Sequence, residues 1–273
     1  MFDAHIHSSV SFDSSTPRAE MAKASAAAGV TGLCFTDHYD IVDADGAFVP
    51  EYDWSIARRE QNLARECVGE SMILNYGVEL GNAPYDFAAA EKALNAEKKL
   101  DFVLGSIHNA GPELGYMDYY YVNYTDENIC YKYLDDYFKQ LERLVAWGNF
   151  DSLAHLPYPL RYMMERDGAN VKIERYESCI DGILKTLIKN GQALEVNAGK
   201  SPNIVPEYGY LLDRYRALGG TLVTVGTDAH KPSQAGVGLR AAYQLLLEKG
   251  FDTVAVFKRR KNTQVSVKAL LES

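Results

Sequence analysis

Short apolar runs recur along the chain at Met1–Ile6, Val30–Phe35, Met72–Val78, Phe102–Ile107, Ser152–Ala154, Ala193–Val196 and Thr221–Val225. These short runs, dominated by apolar residues, look like seven buried strands. The longer stretches between them repeat apolar residues every three to four positions. They predict helices over Arg18–Ala28, Trp54–Val68, Tyr85–Lys98, Glu127–Trp147, Arg175–Lys189 and Tyr208–Leu218. Strand followed by helix, repeated, demands a mostly parallel sheet covered by helices. Seven such units are enough to close the sheet into a barrel rather than leave two open edges.

Two segments break the repeat. Asn109 to about Thr125 is rich in Tyr and Gly and directly follows a strand ending in His108, which predicts a substrate-covering loop. The tail from Phe251 to Val267 alternates apolar and polar residues around Lys258–Lys261, which predicts a final strand flanked by a solvated basic turn.

Composition adds bounds. A chain of 273 residues, 47% apolar and 24% charged, suits one α/β barrel with a sizeable core, so residues 1–273 are read as one domain. A net charge of -9 disfavours a broad nucleic-acid footprint, which needs clustered cations. Cys34, Cys67, Cys130 and Cys179 form no close pair and read as reduced core residues. The N-terminus lacks a signal-peptide pattern, and no apolar run reaches the roughly 18 residues that span a bilayer. A cytoplasmic location is expected.

The candidate chemistry lies in the histidines. The chain has six, and each falls at or just after a predicted strand end: His5 and His7, His38, His108, His155 and His230. Strand C-termini are where a barrel gathers its active site. Asp13, Glu79 and Asp228 accompany them, so nine imidazole and carboxylate groups ring one opening. In His5-Ile6-His7 and Asp228-Ala229-His230 an extended backbone places both named side chains on one face. Imidazole with carboxylate suits Zn, Mn or Fe, and nine donors exceed the needs of one ion, so two or three divalent ions are implied. Asp13 sits in a Ser-rich stretch and also fits a turn or cap. Asp3 and Asp37 are expected to orient imidazoles from behind, or to form turns.

These residues resemble the PHP (polymerase and histidinol phosphatase) metal-dependent phosphoesterases. The similarity is carried by Asp3-Ala4-His5-Ile6-His7, Thr36-Asp37-His38, Gly77-Val78-Glu79, Gly105-Ser106-Ile107-His108, Ala154-His155, Glu195-Val196-Asn197 and Gly226-Thr227-Asp228-Ala229-His230. The resemblance implies a distorted (β/α)7 TIM-like barrel with its metal cluster at the C-terminal ends of the strands. It also implies three sites: His5, His7, Glu79 and Asp228 around one ion, Glu79 bridging to a second held by His108 and His155, and Asp13, His38 and His230 around a third. The Gly-Ser-Ile-His and Glu-Val-Asn blocks look most like monofunctional histidinol-phosphate phosphatases of histidine biosynthesis.

The implied reaction is hydrolysis of a small phosphomonoester, L-histidinol phosphate first, by a metal-bridging hydroxide held at Glu79, His108 and Asp228. Where those phosphatases commonly continue into Gly-Leu-Arg, this chain reads Gly199-Lys200-Ser201-Pro202, which leaves Lys200 and Arg161 as candidate phosphate anchors. Three other readings compete: a PHP enzyme for a nucleotide, cyclic phosphodiester or phosphotyrosyl peptide, a non-catalytic metal-binding module, and amidohydrolase chemistry.

Overall fold

The computed structural model describes residues 1–43, 47–48, 52–199 and 207–272. Seven parallel strands form one sheet: β1 (Phe2–Ile6), β2 (Gly32–Phe35), β4 (Ile73–Gly81), β5 (Phe102–Ser106), β6 (Ser152–Leu153), β7 (Ala193–Asn197) and β8 (Val223–Gly226), paired in that order. An eighth, β3 (His38–Asp40), pairs with β4 alone. The sheet returns on itself through a parallel bridge between Ile6 and Ala229, reinforced by hydrogen bonds from His7 N to Ala229 O at 2.9 Å and Asp228 N to His5 O at 2.7 Å. Closure depends on Gly226, because a Cβ there would run into the His5 side chain.

Every residue of β1, β2, β5, β7 and β8 is buried, as continuous apolar runs in a helix-covered sheet require. The covering helices are α1 (Arg18–Ala27), α2 (Trp54–Val68), α3 (Phe87–Ala96), α4 (Glu127–Trp147), α6 (Glu177–Asn190), α7 (Glu207–Ala217) and α8 (Leu239–Glu248), with a short α5 (Tyr158–Leu160) after β6. Asp53, Asp86 and Asp126 cap α2, α3 and α4 by accepting backbone N–H bonds in the first turn. Gly191 ends α6 in the left-handed conformation, with φ 68°.

The distortion of the barrel has a local cause. Residues 73–76 of β4 pair with β2, and beyond Phe35 the chain bends through Thr36 and Asp37 before rejoining β4 as β3, with His38 opposite Glu79. The seven expected strands are present, whereas β3 and α8 were not foreseen. The tail is a two-stranded hairpin, β9 (Thr253–Lys258) and β10 (Lys261–Ser266), rather than one strand, followed by α9 (Val267–Glu272). Its basic turn lies between the strands.

Two further expectations need correction. Cys34 and Cys130 are buried, but Cys67 is exposed and Cys179 half-buried on the outer faces of their helices. The segment after His108 is only partly a cover: Tyr119 and Tyr124 are fully buried, and Asp118, Tyr120 and Tyr121 face the site. No helix among the described residues is long and apolar enough to cross a membrane.

Candidate metal centre

All nine predicted donors meet at the C-terminal mouth. His5 and His7, on and just past β1, bring their Nε2 atoms within 3.0 Å of each other, and Glu79 from β4 places Oε2 3.1 Å from His5 Nε2 and 3.4 Å from His7 Nε2. Asp228, two residues beyond the end of β8, sets Oδ1 3.3 Å from His7 Nε2. The other Glu79 oxygen lies 2.9 Å from His155 Nε2 and 3.2 Å from His108 Nε2. Asp13 reaches in from the loop after β1, with Oδ2 2.7 Å from His230 Nε2 and 3.6 Å from His38 Nε2. Four groups of candidate donors follow: His5, His7 and Asp228; Glu79, His108 and His155; His7, Asp13, His38 and His230; and His38, Asp40 and His108.

Behind these donors stand groups that fix their tautomers. Glu195 Oε1 lies 2.7 Å from His5 Nδ1, and Asp40 Oδ2 lies 2.8 Å from His108 Nδ1. Ser11 Oγ lies 3.1 Å from His7 Nδ1, and the Asp228 carbonyl accepts from His230 Nδ1 at 2.8 Å. Each contact draws the ring proton to Nδ1 and turns the Nε2 lone pair inward, as in metal-binding histidines. His5 and His7 thus bring their Nε2 atoms to 3.0 Å of each other beside carboxylate oxygens. Such a donor set can share a proton when metal-free, and it fits divalent metal in the proton's place.

The electrostatics agree. Burial opposes charge on His5, yet Glu195 and Glu79 outweigh it and hold its pKa well above the ordinary imidazole range. Asp40 and Glu79 do the same for His108 against burial, and Glu79 and Asp13 raise His38 to about 9. Burial and the adjacent His230 and His38 imidazoles push His7 down to about 3. The cluster holds an excess of negative charge that cations would balance.

Asp3 and Asp37 do not touch imidazole. Asp3 is bound to Thr227 Oγ1 at 2.6 Å and to the Thr227 and His5 backbone N–H groups, so it seals β1 to β8. Asp37 takes the Arg18 guanidinium at 2.6 and 3.0 Å and the Ser8 hydroxyl and N–H, and it reaches the His7 ring only through Ser11. Sequence reasoning gave Asp40 and Glu195 no such role. Asp40 had a readable signal, since His38-Tyr39-Asp40 repeats the extended i, i+2 spacing already used for His5 and His7.

The cluster floors a cavity of about 290 Å³ walled by Phe12, Asp118, Tyr120, Tyr121, Tyr158 and Tyr162. Arg161, at the start of a π-helical stretch (Arg161–Arg166), enters it from the side. Its Nη2 donates to Asn197 Oδ1 at 3.1 Å, and Nη1 lies 3.6 Å from Asp228 Oδ2. The other anchor candidate, Lys200, lies outside the described residues. Burial raises the Asp118 carboxyl above its ordinary range.

Comparison with known proteins places this arrangement. Residues 3–199 match the PHP domain family. The histidinol-phosphatase of Lactococcus lactis subsp. lactis is 28% identical over 266 residues, spanning 95% of each chain. A crystal structure of histidinol phosphate phosphatase from the same organism, complexed with zinc, L-histidinol and phosphate, superposes with a TM-score of 0.82 at 25% identity, covering 96% of this chain and 98% of that one. A Listeria monocytogenes structure, 13% identical with a TM-score of 0.73 over 87% of this chain and 98% of that one, shares the fold.

Proposed function

The chain belongs to the PHP domain family, and on that premise we propose that it is a metal-dependent phosphatase converting L-histidinol phosphate and water to L-histidinol and phosphate. The observation that carries this reading is the similarity, over nearly the whole of both chains, to a phosphatase whose structure holds zinc, L-histidinol and phosphate. The converging donor set of this chain supplies the matching chemistry.

His5, His7, Glu79 and Asp228 would hold one ion, Glu79, His108 and His155 a second, and Asp13, His38 and His230 a third, drawn from Zn, Mn or Fe. Such ions activate water as a nucleophile and neutralise the phosphoryl oxygens. The chain's own groups complete the site. Arg161, braced by Asn197 and buried against Tyr158, presents a charged fork suited to phosphoryl oxygens. Tyr120, Tyr121, Tyr158 and Tyr162 wall the cavity with rings on which an imidazole can stack. Asp118 sets a carboxylate on that wall, a complement to the ammonium of the substrate. As one barrel domain the protein would work in the cytoplasm on this small phosphorylated substrate, without nucleic acid or membrane.

The test is phosphate release from L-histidinol phosphate by protein loaded with Zn or Mn, beside a chelated sample and a His108→Ala variant. Turnover that disappears in both controls is the expected result. Cleavage of an aryl phosphate but not of histidinol phosphate would keep the chemistry and overturn the substrate. Inertness toward every phosphoester would leave a metal-binding module.

A further inference from the structure

The opposite mouth of the barrel carries a second and larger cavity, of about 640 Å³, bounded by Leu100 and Asp101 just before β5, by Tyr76 of β4 and by the tip of the β9–β10 hairpin. Leu100 and Asp101 precede β5 and Tyr76 lies in the first half of β4, whereas Glu79 and His108 sit towards or beyond the other ends of these strands, so the cavity opens away from the candidate metal donors. Its wall is cationic. Arg58, Arg65, Lys98, Lys99, Lys258, Arg259 and Arg260 line it, and Asp101 is the one carboxylate among the lining residues. In a chain of net charge -9 this is a local reversal of sign.

Three of the cations are already balanced. Arg58 pairs with Glu97 at 2.6 Å, Lys258 with Asp101 at 2.9 Å and Arg260 with Asp151 at 2.5 Å. Among the described residues, Arg65 and Lys98 reach only neutral oxygens, those of Leu74 and Asn95, and neither Lys99 nor Arg259 has a side-chain partner. Four uncompensated charges therefore face one concavity.

The hairpin is built to hold one of them there. Arg259 and Arg260 form its two-residue turn with φ of 49° and 60°, a left-handed geometry that favours Asn and Gly over arginine. Asp101 fixes the turn from below: its Oδ1 accepts from Arg259 N at 3.1 Å and its carbonyl from Arg260 N at 2.9 Å. The turn's backbone is thus held against the end of the barrel, while the Lys258 and Arg259 side chains stay exposed, as the sequence leads one to expect.

We infer that this cleft binds a compact polyanion bearing several phosphoryl groups, at a site separate from the metal cluster. A single phosphate would leave most of the four charges unmet, whereas adjacent phosphoryl groups engage them together through charge-assisted hydrogen bonds. A concavity of this size suits a compact ligand. A long nucleic-acid backbone needs an extended basic stripe and would meet the acidic remainder of the surface.

The experiment follows pyrene tetrasulfonate by fluorescence, because sulfonates are feeble ligands for divalent metals, and displaces it with inorganic tripolyphosphate. Metal-loaded wild type, the His108→Ala variant and a Lys99→Gln/Arg259→Asn double variant are compared. Asparagine suits the left-handed turn better than arginine, so the double variant is expected to fold, with its melting curve and phosphatase activity as checks. The expected result is equal saturable binding by wild type and His108→Ala, displacement by tripolyphosphate, and about tenfold or greater weakening in the double variant. Unchanged affinity in the double variant, loss of binding in His108→Ala, or displacement by RNA but not by tripolyphosphate would each overturn the proposal.

Discussion

Glu195 and His5, 190 positions apart in the chain, form a fully buried pair in which the carboxylate Oε1 lies 2.7 Å from the imidazole Nδ1. The other oxygen, Oε2, accepts the backbone N–H of His155 at 2.7 Å. One side chain thus sets the tautomer of one candidate ligand and the backbone position of another.

Glu195→Gln keeps the shape and removes the charge, so the His5 ring has a neutral amide acceptor in place of the carboxylate that makes its Nε2 a strong donor. Metal affinity and turnover are expected to fall by roughly tenfold to hundredfold with the fold retained. Metal content after dialysis, measured beside kcat, tests this, and a variant that keeps both at wild-type levels contradicts it.

The raised imidazoles make metal-free protein sensitive to pH. Burial disfavours charge on His38, but Glu79 and Asp13 prevail and lift its pKa from 6.5 to about 9. A folded-state value above the unfolded one means that the proton's contribution to stability is complete below about pH 6.5 and is lost as pH rises through about 9. Chelated protein is therefore expected to melt at lower temperature on the alkaline side of that window. Metal affinity should rise across the same window, because the entering ion no longer has to displace a proton. Melting curves and metal titrations at matched pH values check both, and a flat profile in each counts against the pair of statements.

On the proposed reading, Arg161, which lines the cavity beside the candidate donors, meets the phosphoryl group. Arg161→Ala is expected to raise KM roughly tenfold to hundredfold at unchanged metal content. Arg161→Lys should recover part of the loss, because a point charge replaces a fork. Steady-state kinetics with metal analysis decides, and a KM left at the wild-type value would place the phosphate elsewhere.

The Arg18–Asp37 ion pair is fully buried, with Arg18 also lying over the Phe35 ring at 5.0 Å and the Tyr76 ring at 5.4 Å. Arg18→Ala strands the Asp37 carboxylate and is expected to cost about 3–5 kcal/mol of stability. Urea unfolding of the variant measures it. A loss below about 1 kcal/mol would indicate that water reaches Asp37 and screens its charge.

The candidate site was largely legible before folding was considered, because the signal was local. His5, His7, His38, His108, His155 and His230 stand out against apolar runs that end beside them, and the side-chain alternation of extended chain fixes which neighbours share a face. What supports them was less legible. Asp40 shares that alternation with His38, but its service to His108 depends on β3 pairing with β4, and a three-residue strand leaves almost no trace in a hydrophobic pattern.

By itself, then, the sequence determined the alternation of strands and helices, the closed parallel sheet and the end of the barrel where the donors gather. Each of these follows from periodicity and from the chemistry of single residue types. Only the tertiary structure decided that Glu195 serves His5, that Arg18 closes on Asp37, and that Lys99 meets the Arg259 turn across a cleft. Such pairings depend on strand register and on which helices pack together, and distant segments fix those jointly when the barrel closes.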